Sequence, residues 1–110
     1  MPQTFKVLGQ SNPTACTYTT LYTVPASTQS VVSTITICNY NALSNANFSI
    51  SVRPAGASQS NQHLVVSNNV VQYLDTIALT LGITLGNTDI ISVYASTANV
   101  SFSAFGSEIT

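Results

Sequence analysis

Apolar and polar residues alternate with a period of two along most of this chain, and the pattern is cleanest in the last segment, 89–108. Such alternation places successive side chains on opposite faces of a β-strand, so that one face is buried and the other exposed. Two alternating runs lie here on either side of the short polar stretch Ser96–Asn99, and this spacing predicts an antiparallel hairpin. The apolar set of the second run, which we expect in the core, is Val100, Phe102 and Ala104.

The same pattern predicts about eight strands over the whole chain. Gln29–Asn39 is the most β-branched stretch, and we expect Val31, Ile35 and Ile37, which share one parity, to face the core. Asn68-Asn69 is predicted to be a turn unless the following valines prolong the strand pairing, and residues 82–87 a glycine-flanked connection. The strand at 46–53 should turn Ser49, Ser51 and Arg53 outward. The residues expected in the core are Phe48, Ile50, Val52, Ile77, Leu79, Val93, Val100 and Phe102, with Leu81 sharing the parity of Ile77 and Leu79.

The number and spacing of these strands predict the fold class. No segment shows a helical period, and Glu, Lys and Arg, which favour helices, are nearly absent. Many short strands separated by polar turns are typical of a sandwich or a barrel. We therefore predict an all-β fold, an antiparallel β-sandwich of about eight strands resembling a jelly roll, with the strand order left open. A chain of this length fits a single domain over residues 1–110.

Charge is scarce in this chain. Thr, Ser, Asn and Gln make up 46 of the 110 residues, whereas a typical domain has about a quarter of its residues charged. A neutral polar surface costs little to desolvate and gives little repulsion between copies. We interpret the chain as a protein packed against other proteins, the alternative being an ordinary β domain with an unusual surface. With one lysine and one arginine, neither nucleic acid nor anionic membrane is an expected partner. The charged residues are Lys6, Arg53, Asp75, Asp89 and Glu108.

Targeting segments and cysteine chemistry are not indicated. No apolar run approaches the ~18 residues of a membrane span, and the first twenty residues lack the basic start and apolar centre of a signal peptide.

Cys16 and Cys38 allow one disulfide, but without a secretion signal we expect free thiols, with Cys38 packed as a small hydrophobe. No Cys/His cluster supports a zinc site, and we expect no cofactor.

Candidate catalytic residues are few. His63 is the single histidine, and no motif supplies it with a partner or a nucleophile, so we expect a surface or interface residue rather than a general base. Asp75 and Asp89 begin predicted strands. They are candidates for a metal site or a carboxylate pair, but charges that discourage mispairing at strand edges are the stronger interpretation. We expect no enzymatic activity.

Candidate contact residues are one arginine and the tyrosines. Arg53 is expected to pair with Glu108 or Asp89, within the subunit or across a contact. Tyrosines are typical of sugar-stacking surfaces, of half-buried strands and of protein interfaces, and the sequence alone does not separate these alternatives. The residues that we expect at an interface are Arg53, Tyr22, Tyr40, Tyr73 and Tyr94.

Four stretches together resemble a known class of protein. They are TTLYTVPASTQSVVSTITICN (Thr19–Asn39), FSISVRPAGA (Phe48–Ala57), LTLGITL (Leu79–Leu85) and DIISVYASTANVSFSAFGSEIT (Asp89–Thr110). In combination they resemble small virion structural proteins of tailed bacteriophages, notably those of cyanobacterial and other aquatic hosts, over most of the chain from Thr4 onward. The resemblance implies a protein made in the bacterial host cytoplasm and located in the virion, and it carries over no catalytic residues.

Two places in a virion fit this resemblance. The first is the capsid exterior, as a decoration or cement protein, dimeric or trimeric, that binds the major capsid protein or other virion proteins and stabilises the assembled head. The alternative is a tail, collar, baseplate or fibre component that contacts host surface glycans. We prefer decoration because the chain is one small domain. An enzyme such as a wall hydrolase would need an acidic or metal-ligating constellation, which the sequence lacks.

Overall fold

The computed structural model describes residues 3–110, except for the side chain of residue 81. The described chain consists of eight β-strands and two short 3-10 turns. The strands are β1 (Gln3–Ser11), β2 (Thr19–Thr23), β3 (Gln29–Asn39), β4 (Ala46–Arg53), β5 (Leu64–Val71), β6 (Asp75–Leu85), β7 (Ile90–Ala95) and β8 (Val100–Ile109), and the 3-10 turns, between β4 and β5, are Pro54–Gly56 and Asn61–His63. Within residues 3–110 there is no helix with the length and apolarity needed to cross a membrane.

The strands form two four-stranded antiparallel sheets. Their orders are β1-β8-β3-β6 and β2-β7-β4-β5. Among strands consecutive in the chain, only β4 and β5 are hydrogen-bonded neighbours, and every other connection passes from one sheet to the other. Eight strands in two packed sheets with this order form a jelly roll. The predicted all-β, jelly-roll-like sandwich is therefore confirmed.

The predicted hairpin between the last two strands is wrong. β7 pairs with β2 and β4, whereas β8 pairs with β1 and β3 in the other sheet. Both strands do bury one face, and those faces are directed at each other across the core. Alternation identifies the buried face of a strand but carries no information about its hydrogen-bonded neighbours.

The core lies between the two sheets and contains most of the residues predicted for it. Phe48 of one sheet contacts Phe102 of the other edge-to-face, with 6.3 Å between ring centroids. Val52, Ile77 and Leu79 are half-buried and pack against the core from its margin, while the side chain of Leu81 lies outside the described residues. The predicted core residues that are confirmed as buried are Ile35, Ile37, Phe48, Ile50, Val93, Val100, Phe102 and Ala104.

A β-bulge at Ser33 reverses the parity predicted for the first part of β3. The register with both neighbouring strands shifts between Val32 and Thr34. As a result Val32 is fully buried, and Val31, which was expected in the core, is only half-buried. Ile35, beyond the bulge, is buried as predicted. A bulge inserts one extra residue and so changes which parity faces inward, an effect that a fixed period of two does not include.

Two predicted connections belong to strands. β6 continues through Gly82 to Leu85, because the positive φ of Gly82 (+62°) fits the irregular register opposite Ser33. β5 continues through Asn68, which also has a positive φ (51°). Glycine and asparagine tolerate the left-handed conformation, so in this fold they mark irregularities within strands rather than the ends of strands.

The outer face of β4 is covered, contrary to the outward orientation predicted for its serines. Ser51 is fully buried, and its hydroxyl donates to Oε1 of Gln59 at 2.6 Å, in the segment 54–63 that crosses this face. Ser49 is also buried, and its Oγ accepts a hydrogen bond from the backbone N–H of Asn68 at 3.0 Å. Small hydroxyl side chains fit under a covering segment when they are hydrogen-bonded, which local alternation does not reveal.

The loops gather at two ends of the sandwich, which we call the tip and the base. At the tip, the backbone N–H of Tyr40 donates to Asn99 O (3.0 Å) and that of Leu74 to Asn41 O (3.1 Å). At the base, Gln3 pairs with Ile109. The tip loops are residues 12–18, 40–45, 72–74 and 96–99, and the base loops are residues 24–28, 54–63 and 86–89.

Candidate functional site

Three of the five predicted interface residues lie at or beside the tip. Tyr40 is about half exposed, and Tyr73 is 54% exposed. Tyr94 is half-buried near the end of β7, where its ring lies against Tyr18, with centroids 5.2 Å apart. A hydrogen bond with the exposed thiol of Cys16 raises the pKa of Tyr94. The structure therefore brings Tyr40, Tyr73 and Tyr94 to one end of the molecule.

Two leucines that the sequence analysis did not single out belong to the same end. Leu43 is 88% exposed and Leu74 is 66% exposed. The signal that would have identified Leu43 is a large apolar residue inside the polar turn cluster Asn41–Asn45. We define the tip surface as the exposed residues Tyr18, Tyr40, Leu43, Tyr73 and Leu74.

Hydrogen bonds hold the Tyr40 ring in a fixed position. Its hydroxyl accepts from Nδ2 of Asn12 at 2.7 Å and donates to the carbonyl of Ala98 at 3.1 Å. With the backbone bond to Asn99, Tyr40 joins three of the tip loops. A ring that is already ordered loses little conformational entropy when a partner binds it.

A buried amide shapes the loop that carries Leu43. Asn39 is fully buried, and its Nδ2 donates to Ser44 O (3.0 Å) and to Val71 O (3.1 Å). Its Oδ1 accepts from the backbone N–H of Asn41 at 3.0 Å. Satisfied buried amides of this kind specify a single loop conformation. The hydrogen bonds of Asn39 therefore hold the loop in the conformation that exposes Leu43.

A shallow groove of about 340 Å³ adjoins the tip surface where β1 ends beside β8. Asn12 connects the groove to Tyr40 through the bond described above. The groove offers neutral amides and hydroxyls and no charged group. Its lining residues are Gln10, Ser11, Asn12, Ser101, Phe102 and Ser103.

Arg53 lies at the other end, near the base. Its Nε donates to Oγ of Ser92 and its Nη1 to the carbonyl of Ala57, each at 3.0 Å. The expected pairing with Glu108 or Asp89 is not formed within the subunit, where Asp89 instead accepts backbone N–H groups at 2.8 and 2.9 Å. Arg53 thus secures the segment that follows β4, and a contact across an interface stays a prediction.

Tyr22 is buried between the sheets towards the base. Its hydroxyl donates to Oε2 of Glu108 at 2.6 Å and, having a single proton, accepts from Ser30 at 2.7 Å. Burial, followed by the hydrogen bond to Glu108, raises the pKa of Tyr22 to about 12. Because the ring is enclosed, Tyr22 is not part of the tip surface.

Glu108 is the acceptor at the centre of this cluster. The hydrogen bond from Tyr22 and then the hydrogen bond from Lys6 lower the pKa of Glu108. Lys6 Nζ lies 3.0 Å from Oε1 of Glu108, in the one ion pair found among residues 3–110. The side chain of Glu108 is largely enclosed, whereas that of Lys6 is about half exposed.

We expect the contribution of Glu108 to stability to be lost in acid. A lowered pKa in the folded state means that the contribution is complete above the unfolded-state value of about 4.3 and disappears as the pH falls through the lower folded value. Glu108→Gln should therefore be less stable than the wild type near pH 7, and the difference should shrink by about pH 3. Chemical denaturation over this range measures both proteins. Asp75→Asn, at an exposed carboxylate, is the control, and a pH-independent difference for Glu108→Gln would contradict the assignment.

The residues considered above for catalysis or metal binding, His63, Asp75 and Asp89, do not form a common site. His63, expected at the surface or at an interface, is buried, and its Nδ1 accepts the backbone N–H of Ser60 (3.2 Å) at a 3-10 turn. Asp75 lies at the tip end of β6, whereas Asp89 lies at the base. Residues 3–110 contain no group of three or more metal-ligating side chains. Cys16 and Cys38 are free thiols.

Comparison with solved structures finds this fold in virus particles. A chain in the crystal structure of the T13 particle of infectious bursal disease virus aligns with 96% of this chain at a TM-score of 0.56 and 13% identity. A chain in the structure of the Gx strain of the same virus aligns with 97% at a TM-score of 0.52 and 12% identity. The present chain spans only 30% and 31% of the length of those two chains. At such low identity the likeness shows the fold alone.

Comparisons at the level of sequence add no relative. No protein-family model matches the chain, and no curated protein matches it. The solved neighbours come from a virus that is not a tailed bacteriophage. The resemblance to tailed-bacteriophage proteins therefore stays a prediction, while the jelly roll that this chain has in common with the virus-particle chains is observed.

Proposed function

We propose that this protein is a non-enzymatic structural component of a bacteriophage virion, and that it decorates the assembled head by binding capsid subunits through its tip surface. The observation that carries the proposal is the exposed, nearly uncharged tip surface on a jelly roll. The fold shared with chains of an icosahedral virus particle supports the virion assignment. The assignment to a bacteriophage rests on the sequence resemblance, and the preference for the head rests on the size of the chain, which fits one small domain.

The composition of the tip surface favours a protein partner. Tyrosines and leucines project together from neighbouring loops, and Asp75 is the one charged residue of the described chain that lies at this end. Contiguous exposed apolar patches on soluble proteins usually mark interaction sites, and tyrosine is enriched in the energetic centres of interfaces. With so little charge to desolvate, this end is suited to being covered permanently.

Decoration stabilises a capsid by mass action. A protein that binds the assembled lattice but not free subunits adds RT ln(1 + [L]/Kd) for each occupied site, about 2.7 kcal/mol when the free protein is at about 100 Kd. This mechanism requires many copies and good contacts, and it requires no catalytic group.

Electron microscopy of whole virions with a gold-labelled antibody against this protein tests its location. Label distributed over the head is the expected result. Label confined to the tail or neck would replace the proposal with the alternative, a tail, collar, baseplate or fibre component that contacts host surface glycans.

The groove of amides and hydroxyls beside Tyr40 favours that alternative, because neutral hydrogen-bonding groups next to an aromatic ring suit a sugar.

Substitutions at the two ends test the contact surface. Leu43→Asp places a charge on an exposed side chain, so the fold should survive, but binding to particles stripped of the protein should weaken at least about tenfold because the charge would be buried unpaired. Co-sedimentation with the particles measures the affinity. Thr23→Asp, exposed near the base, is the matched control and should bind normally.

Arg53→Ala tests the alternative surface in the same assay. It should keep the fold, and if the tip makes the contact it should leave the affinity within about twofold of the wild type. Weak binding by Arg53→Ala combined with normal binding by Leu43→Asp would move the contact to the base.

A further inference from the structure

β6 is the longest edge strand of the sandwich and has little protection against pairing. It lies at the end of the order β1-β8-β3-β6 and pairs with β3 alone, so the backbone groups on its other side face outward. From Thr76 to Thr80 it contains no charge, proline or glycine. Thr76, Ala78 and Thr80 are exposed and small, so no bulky side chain hinders the approach of another strand.

The other three edges carry features that hinder pairing. β1 has Lys6 near its middle and a register irregularity between Val7 and Gly9. β2 has only five residues and an irregularity of its own. β5 shifts register twice against β4 and contains Asn68 with a positive φ. Charges, bulges and short length are the means by which natural sheets protect their edges. The stretch Thr76–Thr80, within the eleven residues of β6, contains neither a charge nor a bulge.

We propose that β6 pairs antiparallel with β6 of a second copy of this chain, around a two-fold axis at Ala78. The pairing joins two four-stranded sheets into one sheet of eight strands. It sets Ile77 of one copy opposite Leu79 of the other, and both side chains are half-buried at the core margin in the single subunit. Their remaining exposed area would be covered by the partner, which is the hydrophobic gain of the contact.

The position of Asp75 selects this orientation. In the antiparallel register about Ala78 the two Asp75 carboxylates are six positions apart along the strands, about 20 Å at roughly 3.4 Å per residue. That distance exceeds the screening length of about 8 Å at physiological salt. A parallel pairing in register would set the two carboxylates side by side and would repel.

The symmetry of the contact limits the assembly to two copies. Each copy uses the same edge, so a two-fold pairing consumes that edge in both subunits and closes. The protected edges offer no second site for growth. In this proposal the free edge of β6 is the contact surface of the expected homo-oligomer, and the two-fold pairing favours a dimer over a trimer. It is a property of the chain in solution and does not depend on the proposed function.

Ala78→Lys tests the pairing, because it places two ammonium groups at the two-fold axis while altering only an exposed side chain. Sedimentation equilibrium should find the wild type dimeric at about 100 µM and Ala78→Lys at least about tenfold weaker in dimerisation. Val65→Lys, at an exposed position on edge strand β5, is the matched control and should dimerise like the wild type. A monomeric wild type, or an Ala78→Lys protein that dimerises normally, would overturn the proposal.

Cross-linking identifies the register. In a protein with Cys16→Ser and Cys38→Ser, Ala78→Cys should form a disulfide between subunits on mild oxidation. Directly opposed residues of antiparallel strands have Cα atoms about 4.5–5.5 Å apart, which lies within the range of about 4.4–6.8 Å that a disulfide spans. Val65→Cys in the same background should remain uncross-linked. Cross-linking at Val65→Cys but not at Ala78→Cys would assign the dimer to the edge of the other sheet.

Discussion

Replacing Phe102 with alanine is expected to lower the free energy of unfolding by about 3–5 kcal/mol. The ring is about 1% exposed and packs edge-to-face on Phe48, so it joins the two sheets at the centre of the core. Removing it takes away buried apolar area and leaves a cavity between sheets whose backbones are held by hydrogen bonds to both neighbouring strands.

Phe5→Ala is the matched control for Phe102→Ala. Phe5 is 78% exposed on β1, so the same chemical change should cost less than about 1 kcal/mol. Urea denaturation monitored by circular dichroism measures both variants. A loss below about 1 kcal/mol for Phe102→Ala would remove Phe102 from the core of the protein in solution.

Gly9→Ala is expected to destabilise the protein by about 1–3 kcal/mol or more, although it removes no contact. A Cβ atom at residue 9 would overlap the carbonyl oxygen of Leu21, where β1 of one sheet lies against β2 of the other. A backbone oxygen has no rotamer that moves it aside, so the two strands must separate. We expect the lost packing between β1 and β2 to appear as a lower midpoint of thermal unfolding.

Gly86→Ala provides the comparison for Gly9→Ala. A Cβ atom at residue 86 would lie 3.7 Å from Oδ2 of Asp89, which is an ordinary van der Waals distance. Gly86→Ala should therefore change the stability by no more than about 0.5 kcal/mol. A loss for Gly9→Ala as small as that expected for Gly86→Ala would contradict the close approach of β1 and β2.

The sequence predicted only part of the candidate site. Tyrosine chemistry selected Tyr40 and Tyr73, which the structure places exposed at the tip, but it selected Tyr22 as well, which is enclosed beside Glu108. Leu43 was overlooked because an isolated leucine in a polar loop has no periodic partner. That the tip loops meet at all depends on the strand order, since segments 12–18 and 96–99 are distant in the chain.

Local pattern was sufficient for the fold class and for most of the core. Whether a strand has one apolar face is a property of successive residues, so Ile50, Val93 and Phe102 were assigned to the interior without knowledge of their neighbours. The scarcity of charge was likewise visible at once, and it led directly to the expectation of a protein covered by other proteins.

Strand partners, bulges and burial of polar groups were set by contacts between distant segments. β7 and β8 have the alternation of a hairpin, yet they lie in different sheets. β7 pairs with β2 and β4, and β8 pairs with β1 and β3, all of them distant in the chain. The bulge at Ser33, which lies between β6 and β8, and the burial of Asn39, whose amide donates to Val71 O, have the same origin. They are choices of register and packing whose energies come from residues remote in sequence, and a period of two contains no record of them.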